Sequence, residues 1–186
     1  MNLKHIQKTH TLQLDLSDCG VACLLSIIKY YNGNHSLEKL RELSGTTPQG
    51  TTMLGLYQVA NEIGFTAEGI KGEMQALKEN DEPVILHLCV SENNNHYVVC
   101  YGFSSPNRSK GQSEGSFLIG DPDKGIYSLM EAALDKLWSS KKCLVLSPNE
   151  HFITTKEAVK SQKKYFLDLL KEDHKLLVFN PLGVII

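Results

Sequence analysis

Apolar residues in this 186-residue chain recur at helical spacing as far as Ile63 and in short strand-like runs from Phe65 onward. Val21, Leu24, Leu25 and Ile28 make one stripe, which predicts a helix from Cys19 to Tyr31 stopping at Asn32-Gly33-Asn34, a glycine-centred C-cap. Ser36 caps a short helix carrying Leu37, Leu40 and Leu43, ended by Ser44-Gly45. Thr51 or Thr52 opens a third helix, with Met53, Leu56, Ala60 and Ile63 inward and Gly64-Phe65 as its stop. Strands are then expected at Phe65–Ile70, Pro83–Val90, His96–Phe103, Phe117–Pro122, Ile126–Leu129 and Cys143–Leu146, with small helices at Gly72–Lys78 and Glu131–Trp138. The nearly continuous apolar run from Pro83 to Val90 suits a central strand. Asn93-Asn94-Asn95 reads as a turn, and residues 104–115 have loop composition. Helices first and a mostly antiparallel sheet second is an α+β order.

After Ser147-Pro148-Asn149 the character changes, which divides the chain into a domain at 1–148 and an appendage at 149–186. Lys156 to Lys171 is amphipathic, with Val159, Tyr165, Phe166, Leu169 and Leu170 among many lysines. The run from Leu176 to Ile186 is apolar but shorter than the roughly 20 residues that a bilayer span requires. It reads as the start of a membrane helix cut by truncation; a docked C-terminal strand or helix is the alternative. A net charge of -2 gives no reason to expect nucleic acid or an anionic surface as the main partner of the domain. Five cysteines without framework spacing fit a reducing, cytosolic compartment. The N-terminus lacks a signal-peptide core. No GxxxxGK[ST] stretch occurs, so ATP binding through a P-loop is not expected here.

Gln13-Leu14-Asp15-Leu16-Ser17-Asp18-Cys19-Gly20 carries the chemical signal. With Asp18 or Ser17 as N-cap, Cys19 falls in the first helical turn, where unpaired N–H groups and the helix dipole favour a thiolate. A thiolate nucleophile needs a base, a group that orients the base, and oxyanion donors. His96 opens a strand after a polar turn and is the candidate base; Asp121 ends the next long strand and, if the two strands are neighbours, orients it. Gln13 and the Cys19 backbone N–H would form the oxyanion hole. A cysteine at a helix start is more often a small buried residue, so only the combination carries weight. His87, Cys89, His96 and Cys100 alternate along two strands, but without a CxxC knuckle a zinc site is not expected. Cys23, Cys89, Cys100 and Cys143 read as core residues. His5, His10, His35, His151 and His174 lie in loop-like or terminal contexts that suggest no role.

Gln13 through Cys23 (Gln-x5-Cys-Gly-x-Ala-Cys, with Asp18 before the cysteine) resembles the opening motif of the C39 peptidases, the double-glycine leader peptidase domains of bacterial peptide and bacteriocin ABC exporters. The likeness continues through Tyr30-Tyr31, Leu40-Arg41, Gly50 to Leu56, Ala60, Gly64-Phe65, His96 to Val99 and Asp121-Pro122, covering residues 10–147. It implies a papain-like fold, a helical lobe packed on an antiparallel sheet. It also implies cleavage of a secreted peptide's leader immediately after a Gly-Gly (or Gly-Ala) pair. By matching motif, Cys19 is the nucleophile, His96 the base and acid, Asp121 the orienter and Gln13 the oxyanion donor. No cofactor is implied for this chain. The implied partners are the leader peptide and the transmembrane and ATPase domains of one exporter, with ATP held only by the latter. The implied place is the cytoplasmic face of the bacterial plasma membrane, with residues 150–175 as a linker and surface helix. An idle, substrate-docking domain is the alternative. The segment from His96 to Asp121 is longer than the family needs; should its loop shift the register, Asp123 would replace Asp121.

Overall fold

A computed structural model describes residues 2–91, 94–106 and 114–178. Most of the expected 104–115 loop, Asn93 of the expected turn and the apolar end at 179–186 lie outside these residues.

The helical third holds four helices, one more than the periodicity predicts. The extra one, α1 (Leu3–Thr9), is capped by Asn2, whose side chain accepts from the His5 N–H at 3.2 Å. Seven residues burying little beyond Ile6 leave no readable stripe. A single 3₁₀ turn (Leu16–Asp18) leads into α2 (Cys19–Tyr30). Every residue of α2 from Cys19 to Ile28 is buried, so it is the central helix of its lobe and not one that shows a single apolar stripe. At its end Asn32, not Gly33, takes the left-handed conformation, with φ 63°. As expected, α3 (Leu37–Ser44) starts on Ser36, and α4 (Met53–Glu62) starts on Thr52, whose hydroxyl accepts from the Gly55 N–H at 3.0 Å.

The remainder alternates strands with two small helices: β1 (Phe65–Lys71), α5 (Met74–Glu79), β2 (Val84–Ser91), β3 (Asn94–Ser104), β4 (Ser116–Asp121), β5 (Gly125–Met130), α6 (Glu131–Leu137) and β6 (Lys142–Pro148). The strands form one antiparallel sheet in the order β1-β6-β2-β3-β4-β5. One face packs on α2, α3 and α4 through Ile85, Tyr97, Val99, Tyr101, Leu144 and Leu146. The other is covered by α5 and α6 around Trp138, with Val84, Leu86, Leu88, Val98 and Ile119 beneath. Strand β2 therefore contributes to two cores, which accounts for its nearly unbroken apolar sequence.

Contacts divide the chain into two units after Phe152. The first unit continues beyond β6. The Asn149 N–H donates to the Gly64 carbonyl at 2.9 Å, and the Phe152 ring meets Phe65 edge-on at 4.6 Å. In the second unit α7 (Thr155–Val178) leaves Val159, Tyr165, Phe166, Leu169 and Leu170 exposed. Among the described residues no helix is long and apolar enough to cross a membrane.

Gly64 stands at φ 95°, and a Cβ there would run into the backbone of His151 and Phe152. Gly64→Ala should therefore cost about 3 kcal/mol. That corresponds to a fall in Tm of about 10 °C, read by thermal melting. An unchanged Tm would mean that the 149–152 segment does not pack at this turn.

Candidate active site

Cys19 is the first residue of α2 and is 7% exposed. Asp18 holds the N-cap position, but contrary to expectation neither it nor Ser17 caps the helix; Asp18 makes no cap bond to it. Its carboxylate turns back instead. It accepts from the backbone N–H groups of Leu14 (3.2 Å) and Asp15 (2.8 Å) and forms a two-point ion pair with Arg41 of α3, Nε donating at 2.7 Å. The Arg41 hydrogen bond, against the opposing effect of burial, holds the Asp18 carboxyl below its usual range. The reversal has a physical reason. A fully buried carboxylate is satisfied by a guanidinium fork and two N–H groups far better than by one helix N–H. The Asp18 carboxylate thus takes none of the first-turn N–H groups of α2.

Strands β3 and β4 are neighbours. Their register pairs Val99 with Gly120; one step further, Val98 faces the position of Asp121, so His96 and Asp121 are diagonal neighbours on one face. His96 Nε2–H donates to Asp121 Oδ1 at 2.7 Å. That bond sets the tautomer and leaves Nδ1 as the ring nitrogen for an interaction with Cys19, the other side chain that raises the imidazole pKa. Burial disfavours the imidazolium, but the bonds to Asp121 and Cys19 outweigh it and raise the His96 pKa to about 9. The Asp121 side chain is 2% exposed. Burial pushes its carboxyl up; the donors His96, the Asp123 N–H at 2.9 Å and the Tyr127 hydroxyl at 3.2 Å pull it down further, and the net shift is downward. Asp121 thus keeps the place opposite His96, and Asp123 contributes only its backbone N–H.

Gln13 is tied to the same strand end, its backbone N–H donating to the Pro122 carbonyl at 2.9 Å. Its amide oxygen is buried without a partner among the described residues; the NH₂ is the donor end of the side chain. The segment before it is stitched down as well. His10 Nε2–H donates to the Asp121 carbonyl at 3.2 Å, and the Thr11 N–H donates to Ser26 Oγ of α2 at 2.9 Å. Residue 120 is glycine because a Cβ there would lie 2.6 Å from the Tyr101 ring and 3.1 Å from His10 Nδ1.

All four residues expected from the sequence therefore belong to one linked arrangement: Cys19 with His96, His96 with Asp121, and Gln13 with the turn after Asp121. Sequence reasoning passed over His10, Arg41 and Tyr127. His10 and Arg41 act across 111 and 23 residues of sequence, which no local pattern reveals. Tyr127 was within reach. Across the β4–β5 hairpin Asp121 pairs with Gly125, and Tyr127 is the next residue on that face. Of the other cysteines, Cys23, Cys100 and Cys143 are buried core residues, while Cys89 is only half-buried, and all are unpaired. His87 bonds to Ser140 and meets Tyr97 edge-on. Among the described residues no three His, Cys, Asp or Glu side chains gather as a metal site.

Residues 7–151 match the Peptidase C39 family. The chain belongs to that family and is a cysteine peptidase. It is 32% identical over 155 residues to the pediocin PA-1 transport/processing ATP-binding protein PedD of Pediococcus acidilactici, covering 81% of this chain and 20% of the relative. It is 32% identical over 174 residues to the transport/processing ATP-binding protein ComA of Streptococcus pneumoniae, covering 91% and 23%. The chain thus spans about a fifth of the length of these curated relatives. The crystal structure of the peptidase domain of Streptococcus ComA superposes with a TM-score of 0.66 at 34% identity, over 75% of this chain and 97% of that one. A double-glycine-motif protease from an AMS/PCAT transporter, in complex with its leader peptide, superposes with a TM-score of 0.64 at 27% identity, over 74% and 89%. The six-stranded antiparallel sheet with its helical lobe is the papain-like C39 fold.

With His96 raised from 6.5 to about 9, its pairing contributes fully below about pH 6.5 and is lost as pH rises through about 9. Asp121→Asn should lower the His96 pKa, measured by NMR titration of the imidazole. The stability difference between that variant and the wild type should narrow above pH 9. An unmoved titration would break the link between these two residues.

Proposed function

We propose that this C39 domain is a working endopeptidase that removes the leader of a secreted peptide by cutting after a Gly-Gly pair. The observation that carries the reading is the continuous chain from Cys19 through His96 to the buried Asp121. In this reading Cys19 gives its proton to His96 Nδ1, and its sulfur attacks the carbonyl carbon of the second glycine. The oxyanion is received by the Gln13 NH₂ and the Cys19 backbone N–H. His96 then protonates the departing amine, and water hydrolyses the thioester with His96 as base. Asp121 keeps the imidazole in the tautomer and plane that both steps require. The leader-bound relative and the names of the transport/processing relatives support the substrate class. In the same reading the domain lies on the cytoplasmic side of an exporter, beside transmembrane and ATPase domains, with ATP held by the ATPase domain alone; the words transport and ATP-binding in those names support the exporter.

Incubated with a leader peptide ending in Gly-Gly, the chain should release the leader, and Cys19→Ala should abolish release. Gln13→Ala should lower kcat about 100-fold, the loss of one oxyanion donor. Binding of the peptide by the intact chain without cleavage would establish an idle docking domain instead.

In the substrate, replacing the second glycine with valine should stop cleavage while leaving leader binding within about twofold, because the proposed selectivity is steric and sits at the scissile bond. Competition binding against the parent peptide reads the second quantity. Efficient cutting of the valine peptide would overturn steric selectivity at the scissile bond.

A further inference from the structure

The Asp121 carboxylate has two oxygens and unequal claims on them. Oδ1 takes both His96 Nε2–H at 2.7 Å and the Asp123 N–H at 2.9 Å, whereas Oδ2 takes the Tyr127 hydroxyl at 3.2 Å. At 2% exposure water has little access to replace a missing donor. The Tyr127 ring packs against the core beneath α5 and α6, and its strand is locked to β4 by the pairs Ile119–Tyr127 and Asp121–Gly125. The ring is therefore held by packing while its hydroxyl is aimed at the carboxylate. Burial first, and then the Asp121 charge, keep that hydroxyl protonated up to about pH 12, so it is a donor throughout the working range.

We propose that Tyr127 is a positioning residue of this peptidase: its hydroxyl holds the second oxygen of Asp121 and draws off part of its charge, and so sets how strongly Asp121 grips His96. The inference rests on the assignment of Cys19, His96 and Asp121 above. The groups facing Asp121 are His96 on β3, Tyr127 on β5 and His10 from the segment after α1, and its charge is also felt by Cys23 of α2. Only Tyr127 donates to Oδ2 by a side chain among the described residues. Without it, more of the carboxylate charge falls on His96, and the plane of the carboxylate is held at one oxygen alone.

The test is Tyr127→Phe in the full chain, which keeps the packed ring. Two readouts are taken against pH: iodoacetamide alkylation of Cys19, with Cys19→Ala as the blank for the other cysteines, and cleavage of a Gly-Gly leader peptide. The alkaline limb of alkylation should move upward from about pH 9. Turnover should fall about tenfold with KM unchanged, as expected for one hydrogen bond to a charged group that touches no substrate. In an Asp121→Asn background both effects of Tyr127→Phe should vanish. A wild-type pH limb and turnover in Tyr127→Phe, or an effect that persists with Asp121→Asn, would overturn the proposal. The Tyr127 Cζ NMR signal gives a reading that needs no Tyr127 variant: it should shift on Asp121→Asn, and its constancy would also overturn the proposal. Alkylation needs no peptide, so failure of leader cleavage by the wild type would remove the substrate assignment while leaving the Tyr127 result readable.

Discussion

The end of strand β4 is where the site is assembled. Asp121 offers its carboxylate to His96 and its carbonyl to His10, and the carbonyl of Pro122 accepts from Gln13. One two-residue turn thereby fixes His96 on β3 and Gln13 on the segment leading to α2. A carboxylate with almost no exposure keeps its charge only while donors surround it. One of those donors is His96, so satisfying the buried charge also fixes the imidazole.

A second buried carboxylate shapes the other half of the site. Asp18 precedes Cys19 yet serves the loop behind it, joining Leu14, Asp15 and Arg41. A cap on α2 would have satisfied one of the helix's free N–H groups. Turning away commits the Asp18 charge to Arg41 and the preceding loop instead of the start of α2. The loop from Gln13 to Asp18 is in exchange held at both ends, to β4 and to α3, which suits a segment that has to present an amide donor at a set place.

Much of this was legible beforehand for identifiable reasons. Ser36, Thr52 and Gly64 announce their helix ends because capping is a local interaction of three or four residues. The order of elements from α2 to β6 followed from apolar spacing, and β2 was recognisable as central because both its faces are buried. Helix α1 escaped because seven residues with little beyond Ile6 to bury carry no period. The stripe read on α2 was incomplete because the helix is buried on all sides. The left-handed residue at its end is Asn32, since Asn tolerates that conformation almost as glycine does.

Residue types and their order sufficed to name Cys19, His96, Asp121 and Gln13, because nucleophile, base, orienter and donor each require particular side-chain chemistry in a loop–helix or strand-end setting. Order could not say whether His96 and Asp121 meet, which of Asp121 and Asp123 faces the imidazole, or where the Asp18 carboxylate turns. Those outcomes depend on strand register and on which charges become buried together, and both are settled only when distant segments pack. Gln13 through Cys23 was visible as a candidate stretch from its own residues; how its side chains are placed was decided by Arg41, Pro122 and the β3–β4 pairing, none of which lies within it.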